Sequence, residues 1–485
     1  VTQQITPRLD LNEIQGDLLI GLQKYAECFV FFKIVDAGSF KRLLKQHVTR
    51  RITSAWRANY REQLLKQRGN GRESLDPFFG LNLGFTRDGL TQLLGIGRPR
   101  LDPPFEQGAE DPATTDRLHD PPASAWLKEF RSDRIDGVLL VTGPREGLVN
   151  FHRAELLRLL GSSIKVVYSE MGTTRPGGQR GFEHFGYRDG ISQPGIRGLT
   201  SRSNPTKNPD QGLPGQDLIW PGEFVFGYPG QDPSDAVKPG PPRHMAAPWL
   251  RNGSYMVFRR LEQKVPEFRK FVAEQAATLG MEPDLLGARM FGRWKGGAPL
   301  ELTPLRDNPA LGGDPRRNND FDYGDDPFQR RCPYAAHIRK VYSRDDAPGG
   351  EAEAQTHRIR RAGIPFGPEV APGETMTRHS RGLMFVCYQT SIARQFEFIQ
   401  WRHANDPDFV NDKVRPVSGA PVTPGFDPII GQAAGGGPRE MDEPFPNYPA
   451  GNRRTTLEMP NQFVVLTAAA YFFMPSLSAL RTVLT

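Results

Sequence analysis

The order of strand-like and helix-like segments predicts an α+β protein made of two halves, each with helices on one side of a sheet. Three observations lead there. At 485 residues the chain is long for a single core. Apolar runs and segments of helical spacing alternate through its first half. The same alternation returns after a Pro/Gly-rich stretch at 201–247, with no sequence repeat behind it.

The elements can be taken in order. AECFVFFKIVD at 26–36 reads as a buried strand. SFKRLLKQHVTRRITSAW at 39–56 has apolar residues at 40, 43, 44, 48, 52, 55 and 56, a helical spacing that Ser39 would cap. FFGLNLGF at 78–85 is a strand, and TRDGLTQLL at 86–94 a short helix with Thr86 as its cap. A Pro/Asp-rich loop covers 97–125; beyond it, DGVLLVTG (136–143) and IKVVYSE (164–170) are strands flanking the helix LVNFHRAELLRLLG (148–161). In the second half SYMVFRRL (254–261) is a strand and VPEFRKFVAEQAATLG (265–280) a helix with proline in its first turn. GLMFVCYQT (382–390) is a strand, SIARQFEFIQWRHA (391–404) a helix capped by Ser391, and NQFVVLTAAAYFFMP (461–475) the closing strand.

Composition narrows the function classes. The formal net charge is +7, but basic residues alternate with acids and form no nucleic-acid-binding arm. The three cysteines, Cys28, Cys332 and Cys387, make no zinc pattern, and Cys28 and Cys387 sit in apolar runs as buried thiols. No apolar run reaches membrane-spanning length. The chain begins with Val and carries no signal-type leader, which fits either a processed mature chain or a trimmed one.

Site chemistry begins at FGYRDGISQPGIRG, 185–198, where Gly186, Gly190, Gly195 and Gly198 surround Asp189. Such glycines serve a tight turn, or let backbone lie against a flat, bulky ligand. The stretch is neither a phosphate-binding Walker loop nor a dinucleotide fingerprint. A second segment, RRCPYAAHIRK (330–340), carries His337, and a third, HRIRRAGIPFGPEV (357–370), places Arg361 four residues before Pro365.

Together these segments resemble the dye-decolourising peroxidase family, most closely its fungal members. The glycine-x-x-Asp-Gly motif falls on Gly186 to Gly190, the Cys-Pro-x-x-x-His segment on Cys332 to His337, and the arginine before a Gly-Ile-Pro-aromatic-Gly turn on Arg361. GLMFVCYQTS (382–391) and GFDPIIGQ (425–432) add to the likeness, which runs from 10–19 nearly to the C-terminus. The resemblance implies two ferredoxin-like domains of the dimeric α+β barrel type, at 1–215 and 216–485. It also implies one haem b, bound mainly by the C-terminal half, and oxidation of phenols, aromatic dyes and lignin-related compounds by hydrogen peroxide.

The resemblance also assigns roles. His337 is the proximal iron ligand, a neutral imidazole whose other nitrogen needs an acceptor, with Asp427 the candidate. Arg339 would hold a haem propionate. Gly190 and Ile191 would lie against the haem. Asp189 is the distal acid/base that moves a proton between the two peroxide oxygens before their bond breaks. Arg361 stabilises the developing negative charge, with Arg360 its adjacent rival. Leu383 and Phe385 restrict the distal pocket or simply pack a core. Because an ordinary Asp titrates near ~3.9, a carboxylate base implies an acidic optimum.

Bulky donors require a surface route. At 100° per residue Trp401 points opposite to Ile392 on its helix and is a candidate surface electron-transfer site, with Tyr342 a second. Asp345, Asp346, Glu351 and Glu353 offer hard oxygen ligands for Mn²⁺ as a substrate ion, or form a solvated acidic loop. The expected partners are hydrogen peroxide and small aromatic reductants, without nucleic acid or membrane, acting on a monomer or dimer. A non-catalytic haem-binding or haem-transfer protein on the same fold is the alternative, disfavoured by an intact Asp/Arg pair; a haem enzyme of another reaction is a third reading.

Overall fold

The protein is described here by a computed structural model that covers residues 8–68, 78–131, 135–200, 211–414, 419–443 and 456–485. The start of the Pro/Gly-rich stretch, 201–210, lies outside the described residues. In the N-terminal half the apolar runs become β1 (Ala26–Ile34), β2 (Gly80–Phe85), β3 (Gly137–Gly143) and β4 (Ile164–Thr173). β1 lies between β3 and β4, antiparallel to both, and β2 pairs with β3. The C-terminal half supplies β5 (Ser254–Gln263), β6 (Arg360–Arg361), β7 (Ile364–Phe366), β8 (Gly382–Gln389) and β9 (Val464–Met474). β5 lies between β8 and β9, and β8 also pairs with β6 and β7. The orders β4–β1–β3–β2 and β7–β8–β5–β9 are the same ferredoxin-like arrangement used twice.

The two sheets are not separate. Phe473 of β9 pairs with Phe85 of β2, and Phe366 of β7 with Gly172 of β4, so the sheet closes on itself as a barrel. Closure follows from strand edges that would otherwise offer unpaired backbone groups to other chains. Side chains alternate along β1. Phe29 and Phe31 point inward and meet Phe258 of β5 at 5.3 and 4.9 Å, and Phe31 also meets Phe472 of β9 at 6.1 Å. Phe32 turns outward onto Phe40 of the helix Ala37–Leu43. Each such ring buried stabilises by roughly 1.5–3 kcal/mol, and these rings come from both halves. Arg260 of β5 bonds Glu170 of β4 through Nε and Nη2, at 2.7 and 2.9 Å, adding a charged tie between the halves.

Several local expectations are corrected. The 39–56 helix is instead Ala37–Leu43 followed by a wide turn at Leu44–Val48 and a tight one at Thr49–Arg51, and a new helix starts at Ala55. Its cap is Asp36, whose carboxylate accepts the Ser39 N–H, so Ser39 is the capped residue. Ser391 caps no helix: the turn after it is held by Asp102, which accepts from Ile392 and Ala393, and the helix begins at Phe396. A capping residue almost 300 positions away leaves no local signal. The 97–125 loop holds short helices at Pro103–Gln107 and Pro112–Arg117. Thr86 caps its helix as expected, accepting from Gly89, and Pro266 sits in the first turn of Val265–Leu279. All three cysteines are buried free thiols.

Glu27 is a buried carboxyl on β1. It accepts from Lys24 Nζ at 2.5 Å with one oxygen, while the other has no partner. Burial pushes its pKa up from 4.5 to about 7, against the opposing pull of Lys24. A raised folded-state pKa stabilises below the unfolded value and loses that contribution as pH rises through about 7. Glu27→Gln should therefore gain stability relative to the parent on going from about pH 5 to about pH 8. Denaturant midpoints at the two pH values read this, and a parallel response of both proteins would contradict it.

Candidate active site

On the C-terminal half the outer face of the barrel is not covered directly by helices. A cavity of about 2010 Å³, counting its open mouth, separates β5, β8 and β9 from the helices opposite. Leu383 and Phe385, on one face of β8, line it. His337 enters it as the first residue of the short helix His337–Val341. Its Nδ1 donates to Asp427 Oδ2 at 2.8 Å. Asp427 is fully buried, and its Oδ1 accepts the backbone N–H groups of Ile429 and Ile430 at 2.8 and 3.0 Å. With the Nδ1 proton committed to a carboxylate, Nε2 keeps its lone pair, and no atom of the described residues takes it.

Asp189 and Arg361 line the same cavity. Asp189 Oδ1 accepts from Gly190 N at 2.6 Å and from Arg361 Nη1 at 3.2 Å. Arg361 Nη2 donates to the Ile191 carbonyl at 2.7 Å, which ties the arginine to the loop that carries the aspartate. Gln193 adds a reciprocal pair with the Arg361 backbone. Gly186 and Gly190 adopt φ of 101° and 81°, where an L side chain is strained. A Cβ at either would meet no protein atom, and Gly190 and Ile191 border the cavity. The left-handed turn thus explains the glycines within the protein itself. Arg360 points away, its guanidinium bonding the Leu19 and Ile20 carbonyls, so geometry favours Arg361 over its neighbour.

Arg339 is corrected. Its side chain is fully buried and borders no part of the cavity; it bonds Asp326, Asp346 and the Cys332 carbonyl, and lies over Tyr323 and Tyr334. Burial opposes its charge, but Asp346 and the other acidic neighbours hold its pKa up. The cavity wall instead carries Arg293, Arg344 and Arg358, which sequence reasoning missed. Arg293 and Arg344 share Asn319 Oδ1 at 3.1 and 2.8 Å, and Arg293 and Arg358 both bond Ser192. Among the described residues Arg358 and Arg344 have only long ion pairs, to Asp217 at 3.8 Å and Asp322 at 3.9 Å, without hydrogen bonds to either carboxylate. Burial, and then the charge of Arg344, push Arg293 down to about 9; burial pushes Arg358 to about 10. Such a cluster favours an anion. Only the Arg-rich run HRIRR hinted at it, and only for Arg358.

Tyr342 is not a surface residue. It is 8% exposed, lies under Arg358 at 3.5 Å, donates to Asp217 and borders the cavity. Trp401 is 37% exposed, with Arg402 at 4.0 Å over its ring. The four acids proposed for Mn²⁺ do not converge. Asp345 caps Tyr323 and Gly324, Asp346 pairs with Arg339 and Lys413, Glu353 with His357, and Glu351 accepts from Gln355. Among the described residues no three His, Cys, Asp or Glu side chains form a metal site.

Two family models match the chain, the DyP dimeric alpha+beta barrel domain over residues 13–176 and the C-terminal Dyp-type peroxidase model over 244–424. The chain belongs to the dye-decolourising peroxidase family. Membership makes it an enzyme, a peroxidase. A dye-decolorizing peroxidase of Mycetinis scorodonius is 38% identical over 98% of this chain and 88% of its own. One from Auricularia auricula-judae is 36% identical over 97% of this chain and 86% of its own. A solved dye-decolorizing peroxidase in complex with 2,6-dimethoxyphenol superposes with a TM-score of 0.81 at 38% identity, covering 98% of this chain and 99% of that one. Dye-decolourising peroxidases imply a haem, and the cavity suits one: an imidazole nitrogen with a free lone pair, and guanidinium groups whose carboxylate neighbours are at the outer limit of ion-pair distance, where two propionates could bind.

Because Arg339 sits in a carboxylate-rich, buried network, Arg339→Leu should cost about 3–5 kcal/mol by stranding Asp326 and Asp346. Thermal unfolding reads that loss. Arg344→Ala is expected instead to weaken haem retention with a smaller effect on folding, seen as a lower haem-to-protein ratio after gel filtration.

Proposed function

We propose that this chain binds one haem b and uses hydrogen peroxide to oxidise phenols and aromatic dyes. The observation that carries the reading is His337, oriented by Asp427 with Nε2 free, in one cavity with the Asp189–Arg361 pair. His337 would bind the iron through Nε2, and Arg293, Arg344 and Arg358 would receive the propionates. A bound haem would supply the redox centre that holds the oxidising equivalents taken from hydrogen peroxide until the donors return electrons. Asp189 takes a proton from one peroxide oxygen and returns it to the other, so that water departs as the O–O bond breaks. Its Oδ2 has no partner among the described residues and is free for that transfer. Arg361 holds Asp189 in place and stabilises negative charge on the departing oxygen. Leu383 and Phe385 narrow access so that peroxide enters more readily than a dye.

A phenol-bound relative supports aromatic donors. Larger donors would give up electrons at Trp401, whose ring is accessible. Secretion is proposed from the likeness to fungal peroxidases. Division at residue 215 would leave Asp189 on the N-terminal segment and its arginine on the C-terminal one.

Asp189→Asn should keep haem and its absorption band while slowing the reaction with peroxide by about 10²–10⁴-fold. Parental rates in the variant would remove Asp189 from the mechanism. Activity of the parent should also persist at about pH 5, where a histidine base, titrating near ~6.5, would be protonated while an ordinary Asp is still ionised; a rate that collapses there would count against a carboxylate base.

A further inference from the structure

We infer that Glu183 is a positioning residue for Asp189, an inference that rests on Asp189 being the distal base. Asp189 stands at the foot of a small hairpin. Its N–H donates to the Gly181 carbonyl at 3.0 Å, and Phe182 bridges to Arg188 one step higher. The next rung is Glu183 with Tyr187, whose carbonyl accepts the Glu183 N–H at 3.0 Å. Glu183 then closes the tip almost alone. Its carbonyl accepts from Gly186 at 2.9 Å, Oε2 accepts from Phe185 N at 2.8 Å, and Oε1 from Tyr187 N at 2.8 Å.

The same carboxylate also fixes the hairpin to the barrel. Oε2 accepts from the side chain of Gln263, on the outer face of β5, and Gln263 Oε1 accepts the His184 N–H at 3.3 Å. Arg175 Nη1 binds the Glu183 carbonyl at 2.6 Å while its other nitrogens pair with Glu369. No cation contacts the Glu183 carboxylate itself, which is held by neutral donors. Burial pushes its pKa up, and those donors oppose the shift. It borders the cavity six residues before Asp189. A hairpin gripped at its tip and tied to a strand of the barrel cannot swing, so Asp189 keeps its reach to Arg361.

Glu183→Gln is the informative change. It keeps size but turns one acceptor oxygen into an NH₂ that must face an N–H donor. Holoenzymes carrying Glu183→Gln, Asp189→Asn and both changes are mixed rapidly with hydrogen peroxide, after each is found to hold haem. The single Glu183 variant should react about 10²-fold more slowly, the loss expected for a misplaced catalytic group. In the double variant the rate should match Asp189→Asn within about twofold, because a residue acting through Asp189 has nothing left to position. Amide exchange at Phe185 and Tyr187 in the holoenzyme should quicken in Glu183→Gln. A slow Asp189→Asn beside a parental Glu183→Gln, or fully additive losses, would overturn the positioning role alone. A parental Asp189→Asn would overturn the base assignment beneath it. If Glu183→Gln does not fold, Gln263→Leu removes the tie to β5 and should give a smaller loss with the same non-additivity; an additive loss there would overturn the inference.

Discussion

The hydrogen bond from His337 to Asp427 sets the geometry of the cavity. A carboxylate withdrawn from solvent is costly unless donors replace its water, and Asp427 finds three: the imidazole and two backbone N–H groups. That turn does two things at once. It fixes the imidazole plane and tautomer before any ligand arrives, and it turns Ile429 and Ile430 so that they border the cavity. The ring is further limited by Phe291, edge-on at 6.3 Å. Orientation is therefore built into the protein and not induced by the cofactor.

Charge is distributed with equal economy. Arg339 and Arg293 are both deeply buried, yet their surroundings are opposite. Arg339 is met by Asp326 and Asp346, which complete its charge within the protein. Arg293 is met by carbonyls, an amide and a hydroxyl, with Arg344 close enough to disfavour its proton. The first arrangement is a structural tie; the second leaves positive potential facing a void. Two arginines seven or fewer residues from the same histidine, Arg339 and Arg344, thus serve different ends, and the carboxylates around them decide which.

The long strands were legible because their apolar runs are long and β-rich, and each of these was found within a few residues of its ends; the short β6 and β7 were not, since HRIRRAGIPFGPEV has no apolar run. The doubled arrangement was legible too, though not the closure, since the pairings of Phe85 with Phe473 and of Gly172 with Phe366 join residues far apart in the chain. Thr86 was read correctly as a cap, whereas Ser39 was taken for the cap in place of Asp36 three residues earlier, and the remote Asp102 left no local signal. Motifs brought Asp189, His337, Arg361 and Asp427 to notice, and the structure brings the first three to one cavity, with Asp427 buried behind His337, in two hydrogen-bonded pairs. Spacing failed for Arg339, because a short helix turns residue 339 away from the face that residue 337 presents. It failed for Tyr342 because nearness to a histidine says nothing about depth. The acidic loop failed because each of its carboxylates already had a local partner.

The seam between the halves is narrow at Gly172, where β4 meets β7. A Cβ there would come within 2.5 Å of both Ile364 and Met384. The loop bearing Asp189 leaves the barrel from β4, and Arg361 ends β6 three residues before β7 begins at Ile364. The acid and its arginine are thus suspended from opposite lips of one joint, like the jaws of a clamp whose hinge is a hydrogen atom wide. Their separation is a gauge of how tightly the barrel is shut, and the catalytic distance becomes a property of the whole closed sheet.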